Sequence, residues 1–309
     1  MSGRVVVLTG GVGGAKLALG MARIVPADRL TFIVNTGDDF RHIGLAISPD
    51  VDTLLYTLTG RANQAQGWGR EGESWAFMES LKSLGGEGWF QLGDGDLALH
   101  VLRTHRLALG DRLSAIIGDF ARAWGLEAAV LPMSDDPVAT QVDTDEGVLD
   151  FQHYFVARQC APAVRGISFA GAAMAVPAPG VLEAIERADA IVIAPSNPYL
   201  SVDPILAVPG MRAALAEARA PVVAVSPLVG GKAVKGPSAK MMEELGIAPD
   251  HRSIAAHYEG VIDGLLIDEA GPAPDGIATA RDDTLMTVLD DKVRVARAAL
   301  ALAGRIAAA

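Results

Sequence analysis

The chain of 309 residues contains a single cysteine, Cys160, and this scarcity limits the kinds of site that it can form. One cysteine cannot form an intramolecular disulfide, and it disfavours a zinc site built on several thiolates. The Gly-x-Ser-x-Gly and His-Glu-x-x-His motifs are also missing from the sequence. Their absence removes the commonest serine-hydrolase and zinc-protease interpretations.

Long apolar runs are missing as well, although 50% of the residues are hydrophobic. No run approaches the roughly 18 to 20 apolar residues that cross a bilayer. Residues 1–4 lead directly into a strand-like run, which is not the pattern of a signal peptide. We therefore expect a cytoplasmic protein.

The chain has fewer basic than acidic residues: 26 Lys and Arg against 37 Asp and Glu, which gives a formal net charge of -11. Nucleic-acid backbones are bound mainly by clustered basic side chains, so the charge disfavours a nucleic-acid partner. A small polyanionic ligand would need backbone N–H groups, a few placed cations or a metal ion held by carboxylates.

Short apolar strands alternate with helical segments at both ends of the chain. Residues 5–8 and 30–34 are predicted strands about 20 residues apart, and a helix predicted from Ala15 fits between them as a βαβ crossover. Later strands are predicted at 190–194, 221–225, 265–267 and 284–287, and later helices at 181–187, 211–218 and 292–309. This alternation predicts a parallel α/β sheet.

The middle of the chain differs, because residues 53–124 have mainly helical patterns and residues 141–155 alternate like a hairpin. We expect one domain over residues 1–309, with a Rossmann-like, mostly parallel sheet that carries helices on both faces. Its core would comprise about residues 1–52 and 181–290. A smaller, largely helical inserted lobe with a hairpin would span about residues 53–180.

The segment Gly10–Gly14 follows the first strand, where missing Cβ atoms allow backbone N–H groups to approach phosphate oxygens at a helix N-terminus. It is not a P-loop, because Lys16 is followed by Leu17 instead of Ser or Thr. A tight strand-to-helix turn with no ligand would explain the same glycines.

Four aspartates follow the second strand: Asp38 and Asp39, then Asp50 and Asp52. At the carboxyl edge of an open sheet, such oxygens suit Mg²⁺ bridged to substrate phosphates. Helix capping by Asp52 and a solvated turn at Asp39 are the alternatives. Farther along, Asp94 and His100 stand about two helical turns apart, and a helix cap and a surface histidine explain them as well as catalysis does.

Two later strands also end in polar loops. Ser196 and Asn197 follow one of them, and the other leads to a glycine-rich stretch containing Gly231, Lys232 and Lys235. Lysines on flexible backbone would provide an anion site in an acidic protein. Ordinary turn chemistry would equally explain the glycines and prolines.

Six motifs in order resemble the 2-phospho-L-lactate transferase family of coenzyme F420 biosynthesis over nearly the whole chain. They occupy residues 9–16, 35–39, 47–53, 92–94, 131–137 and 194–198. The resemblance implies an enzyme that takes a guanosine diphosphate-linked three-carbon acid. It would transfer the phosphate-bearing acid to the ribityl hydroxyl of the deazaflavin precursor Fo and release GMP. It also implies Mg²⁺ as cofactor and a homodimer.

Site residues follow from the matched positions. The resemblance places Asp52 and Gln91 at the Fo contacts and Asp38 at the metal, with Asp39 and Asp52 as further metal candidates. Asp38 or Asp52 would orient the hydroxyl as a catalytic carboxylate. Phosphate and nucleotide binding is assigned to Gly10, Gly11, Gly13, Gly14, Lys16, Ser196, Asn197, Gly231 and Lys232.

Two other functions remain to be weighed. A related gluconeogenesis-factor family shares the glycine loop and acidic turn, so a nucleotide-sugar-binding regulator without turnover is the main alternative. A nicotinamide dehydrogenase is disfavoured, because Asn35-Thr36-Gly37 stands where a ribose-binding acid should end the second strand. The donated acid (phospholactate, phosphoenolpyruvate or phosphoglycerate) is left open, since no motif distinguishes a hydroxyl from a double bond.

Overall fold

A computed structural model of the chain describes residues 3–230, 232–233 and 238–309. Its strands are β1 Val5–Thr9, β2 Leu30–Val34, β3 Phe40–His42, β4 Leu45–Ile47, β5 Ala129–Pro132, β6 Ala139–Thr144, β7 Gly147–Asp150, β8 Val164–Ala170, β9 Ala190–Ile193, β10 Val222–Val225, β11 Leu228–Val229, β12 Lys232–Ala233, β13 Gly264–Ile267 and β14 Ala278–Arg281. Its α-helices are α1 Gly11–Ala22, α2 Pro49–Leu58, α3 Ala76–Ser83, α4 Leu97–Ala108, α5 Leu113–Ala123, α6 Val181–Glu186, α7 Asp203–Ala207, α8 Met211–Ala216, α9 Ser238–Glu244, α10 His251–His257 and α11 Leu289–Ala307.

A seven-stranded sheet organises the fold, in the order β14-β13-β10-β9-β1-β2-β5, and every neighbouring pair is parallel. From β1 the chain builds outward through β2 and β5, and then returns to β9 and builds in the other direction. The strand order therefore reverses between β1 and β9. Open α/β sheets bind ligands at such a reversal, outside the carboxyl ends of the strands.

Both faces of the sheet are covered, as predicted. Along β1, Val5 and Val7 belong to one apolar cluster, which includes residues of α1, α2, α5 and α11. Val6 and Leu8 belong to a second cluster on the opposite face with residues of α6, α7, α8 and α10. Because every residue of β1, β9 and β10 is buried, these strands appear in the sequence as continuous apolar runs.

Three smaller sheets accompany the main one: the hairpins β3–β4 and β11–β12, and the antiparallel sheet β7-β6-β8. The predicted hairpin around Asp145-Glu146-Gly147 is present as β6 and β7. Its second strand ends at Asp150, and helical structure follows through Ala157 instead of the predicted continuation to Phe155. Within the described residues, no helix combines the length and apolar character needed to cross a membrane.

Three predictions about elements are wrong. The helix after β1 begins at Gly11 and not at Ala15, so most of the glycine segment forms its first turn. Residues 284–287 form no strand, and the last sheet strand is β14, a short edge strand with no apolar run to identify it. β5 pairs with β2 although it lies inside the segment assigned to the inserted lobe. A crossover longer than expected separates these two neighbours.

Candidate active site

A cavity of about 800 Å³ opens at the carboxyl edge of the sheet, next to the strand reversal. Cavities of this size hold drug-sized ligands and cofactors. Of the site residues predicted from sequence, the following line it: Gly10, Gly11, Gly13, Lys16, Asp38, Asp52, Gln91, Ser196 and Asn197. Gly14 and Asp39 are not among its lining residues, and Gly231 and the side chain of Lys232 lie outside the described part of the chain, as does Lys235.

The glycine segment is shaped largely by close packing. A Cβ atom on Gly13 would lie 2.5 Å from the carbonyl oxygen of Pro195, and one on Gly14 would lie 2.4 Å from Thr9 Oγ1. Ser196 fastens the loop, because its hydroxyl donates to the carbonyl oxygen of Gly10 at 2.7 Å. The tight turn is therefore real, and it presents Gly10, Gly11 and Gly13 at the N-terminus of α1, on the cavity wall.

The other predicted anion-binding side chains are engaged with the protein itself. Lys16 Nζ donates to the carbonyl oxygen of Met286 at 2.9 Å. Asn197 Oδ1 accepts from the backbone N–H groups of Tyr199 and Leu200 and caps the helical turn that follows. These contacts hold the loops after β9 and β14 against the cavity and leave both residues on its wall.

Asp38 and Asp50 form an acidic pair beside the glycine segment. Asn35 donates from Nδ2 to Asp50 Oδ2 at 2.9 Å. Burial and the neighbouring Asp50 charge raise the pKa of Asp38 well above its ordinary value. Burial also raises the pKa of Asp50 to about 6, against the opposing effects of Asn35 and the Gly11 N–H. Two buried carboxylates that repel each other provide an oxygen-rich place for a divalent cation.

Asp39 is not a lining residue of the cavity, although its charge acts on Asp38. Its Oδ2 atom accepts a hydrogen bond of 2.7 Å from Ser48 Oγ, which ties the turn after β2 to the start of α2. Burial raises its pKa well above the ordinary value, against the effects of Ser48 and Arg103. The structure therefore favours a role for Asp39 in holding the turn over the predicted role as a metal ligand.

Asp52 lies on the same helical turn as Asp50 but has different partners. Its Oδ1 atom accepts a hydrogen bond from Nη2 of the fully buried Arg103. His100 Nδ1 lies 3.7 Å from Asp52 Oδ2. Burial raises the pKa of Asp52, and the Arg103 and His100 charges oppose that rise. Because its charge is already paired, Asp52 fits a metal ion less well than Asp38 or Asp50, contrary to its predicted third place in the metal set.

Part of the cavity lining is aromatic. Gln91, for which an Fo contact is predicted, lines the cavity, and its amide donates to the carbonyl oxygen of Gly88 at 2.7 Å. The aromatic lining residues are Tyr56, Trp68, Trp75, Phe90, Phe151 and Phe155. A flat ring system would bury apolar surface against these side chains. The inserted lobe therefore supplies an apolar part of the cavity wall.

Sequence reasoning missed Arg103 altogether and did not choose Asn35 or His100 for the site. The sequence did contain a signal for the polar face of α4. Asp96, His100 and Arg103 recur at spacings of four and three residues, which places them on one helical face. Polar residues on such a face more often meet solvent, so the spacing alone would not have distinguished them. Asp50 was considered for metal binding but was not selected.

Comparisons with known proteins match the chain over nearly its whole length. The family model for 2-phospho-L-lactate transferase CofD matches residues 5–303. A phosphoenolpyruvate transferase of Streptomyces griseus is 43% identical, with 99% of this chain and 100% of that protein covered. A 2-phospho-L-lactate transferase of Methanosarcina mazei is 38% identical, with 91% of this chain and 94% of that protein covered.

Among solved structures, a UPF0052-family protein from Bacillus halodurans has a TM-score of 0.64 at 18% identity, with 96% of this chain and 99% of that chain covered. At that identity the likeness concerns the fold alone, and it agrees with the predicted Rossmann-like architecture. The family match extends over nearly all of the chain, and relatives above 30% identity cover it almost end to end. The chain is a transferase that belongs to the 2-phospho-L-lactate transferase CofD family.

Proposed function

We propose that this enzyme transfers a phosphoenolpyruvate or 2-phospho-L-lactate moiety from a guanosine diphosphate-linked donor to the ribityl hydroxyl of Fo, with release of GMP, in coenzyme F420 biosynthesis. The two acids are those named for the relatives that match it. Phosphoenolpyruvate is the favoured acid, since phosphoenolpyruvate transferases of Streptomyces and Kitasatospora are 40 to 43% identical to this chain. The 2-phospho-L-lactate transferases of Methanosarcina are 34 to 38% identical.

One observation carries the proposal: a single cavity is lined both by a helix N-terminus with buried carboxylates and by aromatic side chains. The backbone at Gly11 and Gly13 begins α1, where N–H groups and the helix dipole favour phosphate oxygens. The aromatic wall, with Trp68 and Phe90, suits a deazaflavin ring. One cavity could therefore hold the diphosphate of the donor and the ring of the acceptor together.

The buried acidic pair fits the expected magnesium ion. Asp38 and Asp50 would hold it, and Mg²⁺ would neutralise charge on the diphosphate oxygens of the donor. Asn35 would hold Asp50 in place through its hydrogen bond of 2.9 Å. A bound cation would favour the charged forms of both carboxylates, whose pKa values burial raises.

The reaction requires little covalent participation by the protein. The acceptor hydroxyl oxygen forms a bond to the phosphorus that carries the three-carbon acid. The bond from that phosphorus to the bridging oxygen breaks, and its electron pair leaves with GMP. Asp52 would orient the hydroxyl and accept its proton, since a carboxylate on the cavity wall can act as a general base. Bound close together, the two substrates would react as if in one molecule.

A direct test incubates the protein with Fo, Mg²⁺ and either guanylylated acid, and measures GMP together with the phosphorylated deazaflavin. We expect both products, with the phosphoenolpyruvate donor preferred in competition. Equal or better use of the phospholactate donor would reverse the assignment of the acid. Tight binding of a nucleotide sugar with no GMP from either donor would overturn the transferase proposal in favour of the regulator.

A further inference from the structure

A row of polar residues joins α2 to α4 at the cavity wall, and all of them except the half-buried Asp96 are buried. It consists of Asp52 and Tyr56 from α2, His100 and Arg103 from α4, and Asp96, which directly precedes α4. We call these five residues the α2–α4 seam. Tyr56 donates a hydrogen bond to Asp96, and Arg103 donates one to Asp52. The seam connects the core to the inserted lobe at a point where Asp52 faces the cavity.

Arg103 is the fixed member of the seam. Its side chain is fully buried, and it bonds in two directions, with Nη2 to Asp52 and Nη1 to the carbonyl oxygen of Ala46 at 3.2 Å. A guanidinium group stays charged and holds its donors in one plane, so these two bonds restrict where the carboxylate of Asp52 can lie. Burying such a charge is costly unless it is paired, so loss of the ion pair between Arg103 and Asp52 would leave an unfavourable buried charge.

Asp52 Oδ2 has a different environment. It is buried and accepts no hydrogen bond within the part of the chain that the structure describes. An unsatisfied buried oxygen costs free energy, and in a native structure it calls for a partner that is not part of the protein. A hydroxyl group donated by a ligand in the cavity would satisfy it.

His100 does not convert this region into a metal centre, although Asp52, Asp96 and His100 place three ligand atoms within 4.8 Å of one another. Asp52 Oδ2 is 3.7 Å from Nδ1 of the imidazole, and Asp96 Oδ2 is 3.2 Å from Nε2. The two carboxylates approach opposite nitrogens of the His100 ring. A single metal ion binds only one nitrogen of an imidazole, so it could not lie between the ring and both carboxylates. Arg103 Nη1 also lies 3.4 Å from Nδ1, so the carboxylate and the imidazole already face a cation.

We propose that Arg103 is a positioning residue for the transfer reaction. It engages Asp52 Oδ1 and so presents Oδ2 to the hydroxyl of the acceptor. The inference rests on the proposed function, in which Asp52 orients that hydroxyl. Its physical basis is that a carboxylate free to rotate spends little time aligned for attack, whereas one fixed by a planar, anchored donor is already aligned.

The test compares Arg103→Lys with Arg106→Lys, a matched change on the same helix at a site that pairs with Asp111 and Asp119 on the surface. Lysine keeps the charge but cannot bond to Asp52 and Ala46 through one planar group. We expect Arg103→Lys to lower kcat by about tenfold to a hundredfold, with KM for the donor within about twofold, because only alignment is lost. Arg106→Lys should keep wild-type kcat.

Unchanged kcat in Arg103→Lys would overturn the proposal. So would a fall in kcat matched by an equal loss of nucleotide affinity, since that result indicates general damage to the site. If the variant fails to fold, a structure of the wild-type enzyme with Fo bound decides: the acceptor hydroxyl should lie within hydrogen-bond distance of Asp52 Oδ2. A hydroxyl placed elsewhere would contradict the proposal.

Failure of this inference can be separated from failure of the proposed function. Wild-type enzyme that forms GMP, together with a fully active Arg103→Lys variant, removes only the role of Arg103. Wild-type enzyme that forms no GMP from either donor overturns the proposed function, and the positioning role is lost with it.

Discussion

Asp50 and Asp52 are two residues apart on the first turn of α2, yet their carboxylates serve different parts of the site. Residues at this spacing point about 200° apart around a helix axis. Asp50 therefore meets Asn35, and Asp52 meets Arg103. The second carboxylate is paired with a cation, while the first repels Asp38. At the residue scale, this division favours Asp38 and Asp50 for the metal and Asp52 for the acceptor.

Replacing Asp38 with Asn should lower turnover strongly without unfolding the protein. One ligand of the metal would be lost, and a loss of about a hundredfold or more in kcat is typical when a group that stabilises the transition state is removed. Folding should be unharmed, because the variant also removes the repulsion from Asp50. GMP release and thermal unfolding measure the two effects. Full activity in this variant would remove Asp38 from the mechanism.

Asp39→Asn is the matched comparison. Asp39 is not a lining residue of the cavity, and its carboxylate accepts a hydrogen bond from Ser48. An amide oxygen can still accept that bond, so kcat should fall much less than in Asp38→Asn. Equal losses in the two variants, measured under the same conditions, would show that the assignment of the metal ligands is incorrect.

At the scale of elements, α1 and α11 cross closely on one face of the sheet. A Cβ atom on Gly20 would lie only 2.1 Å from the carbonyl oxygen of Lys292. The two backbones can approach this closely because residue 20 has no side chain. Since α1 also carries the glycine segment at its N-terminus, the crossing helps to fix the position of the site.

Gly20→Ala should therefore destabilise the protein by about 1 to 3 kcal/mol, the usual cost of overpacking a tight contact. Gly118→Ala on α5 is the control, because its Cβ would meet only Arg122 Nη1, at 3.4 Å. Alanine there should be neutral or stabilise by up to about 1 kcal/mol, the difference in helix propensity. Denaturant unfolding measures both changes. Equal stability of the two variants would contradict the close crossing.

At the scale of the whole molecule, buried acids should make stability depend on both pH and magnesium. The pKa of Asp50 is raised to about 6, and those of Asp38 and Asp39 are raised in the same direction. A raised folded-state pKa contributes stability below the unfolded-state pKa, and this contribution is lost as pH rises through the folded-state pKa. Without divalent ions, Tm should therefore fall between about pH 5 and about pH 7.5.

Added Mg²⁺ should restore Tm at the higher pH, because an ion that binds only the folded state stabilises it. Thermal unfolding with a chelator and with Mg²⁺ measures this response. Asp50→Asn should show a smaller fall with pH and little response to Mg²⁺. A wild-type Tm that rises over the same pH interval in chelator would contradict the prediction.

Cytoplasmic location and a homodimer remain predictions at this scale. The homodimer is inferred from the family resemblance. Molecular mass in solution, measured by light scattering, tests it directly, and a monomeric mass at assay concentration would show it to be wrong.

The class of fold and the positions of its central strands can be predicted from the pattern of residues alone. Residues 30–34 are a strand as predicted, and the runs ending in Leu8, Ala194 and Val225 match β1, β9 and β10 to within a residue or two. These strands are buried on both faces, so burial alone makes them apolar and β-branched, and that pattern can be seen without coordinates. The edge strand β14 has no such pattern and was misplaced.

Which polar groups share the site depends on how distant segments pack in three dimensions. The glycines and aspartates at the strand ends were visible in the sequence, because parallel strands bring their carboxyl ends to one edge. The pairing of Asp38 with Asp50, and of Asp52 with Arg103, was not visible, since it depends on the rotation of α2 and on the packing of α4 against it. Sequence specifies side chains and their spacing, whereas packing between distant segments determines which of them meet.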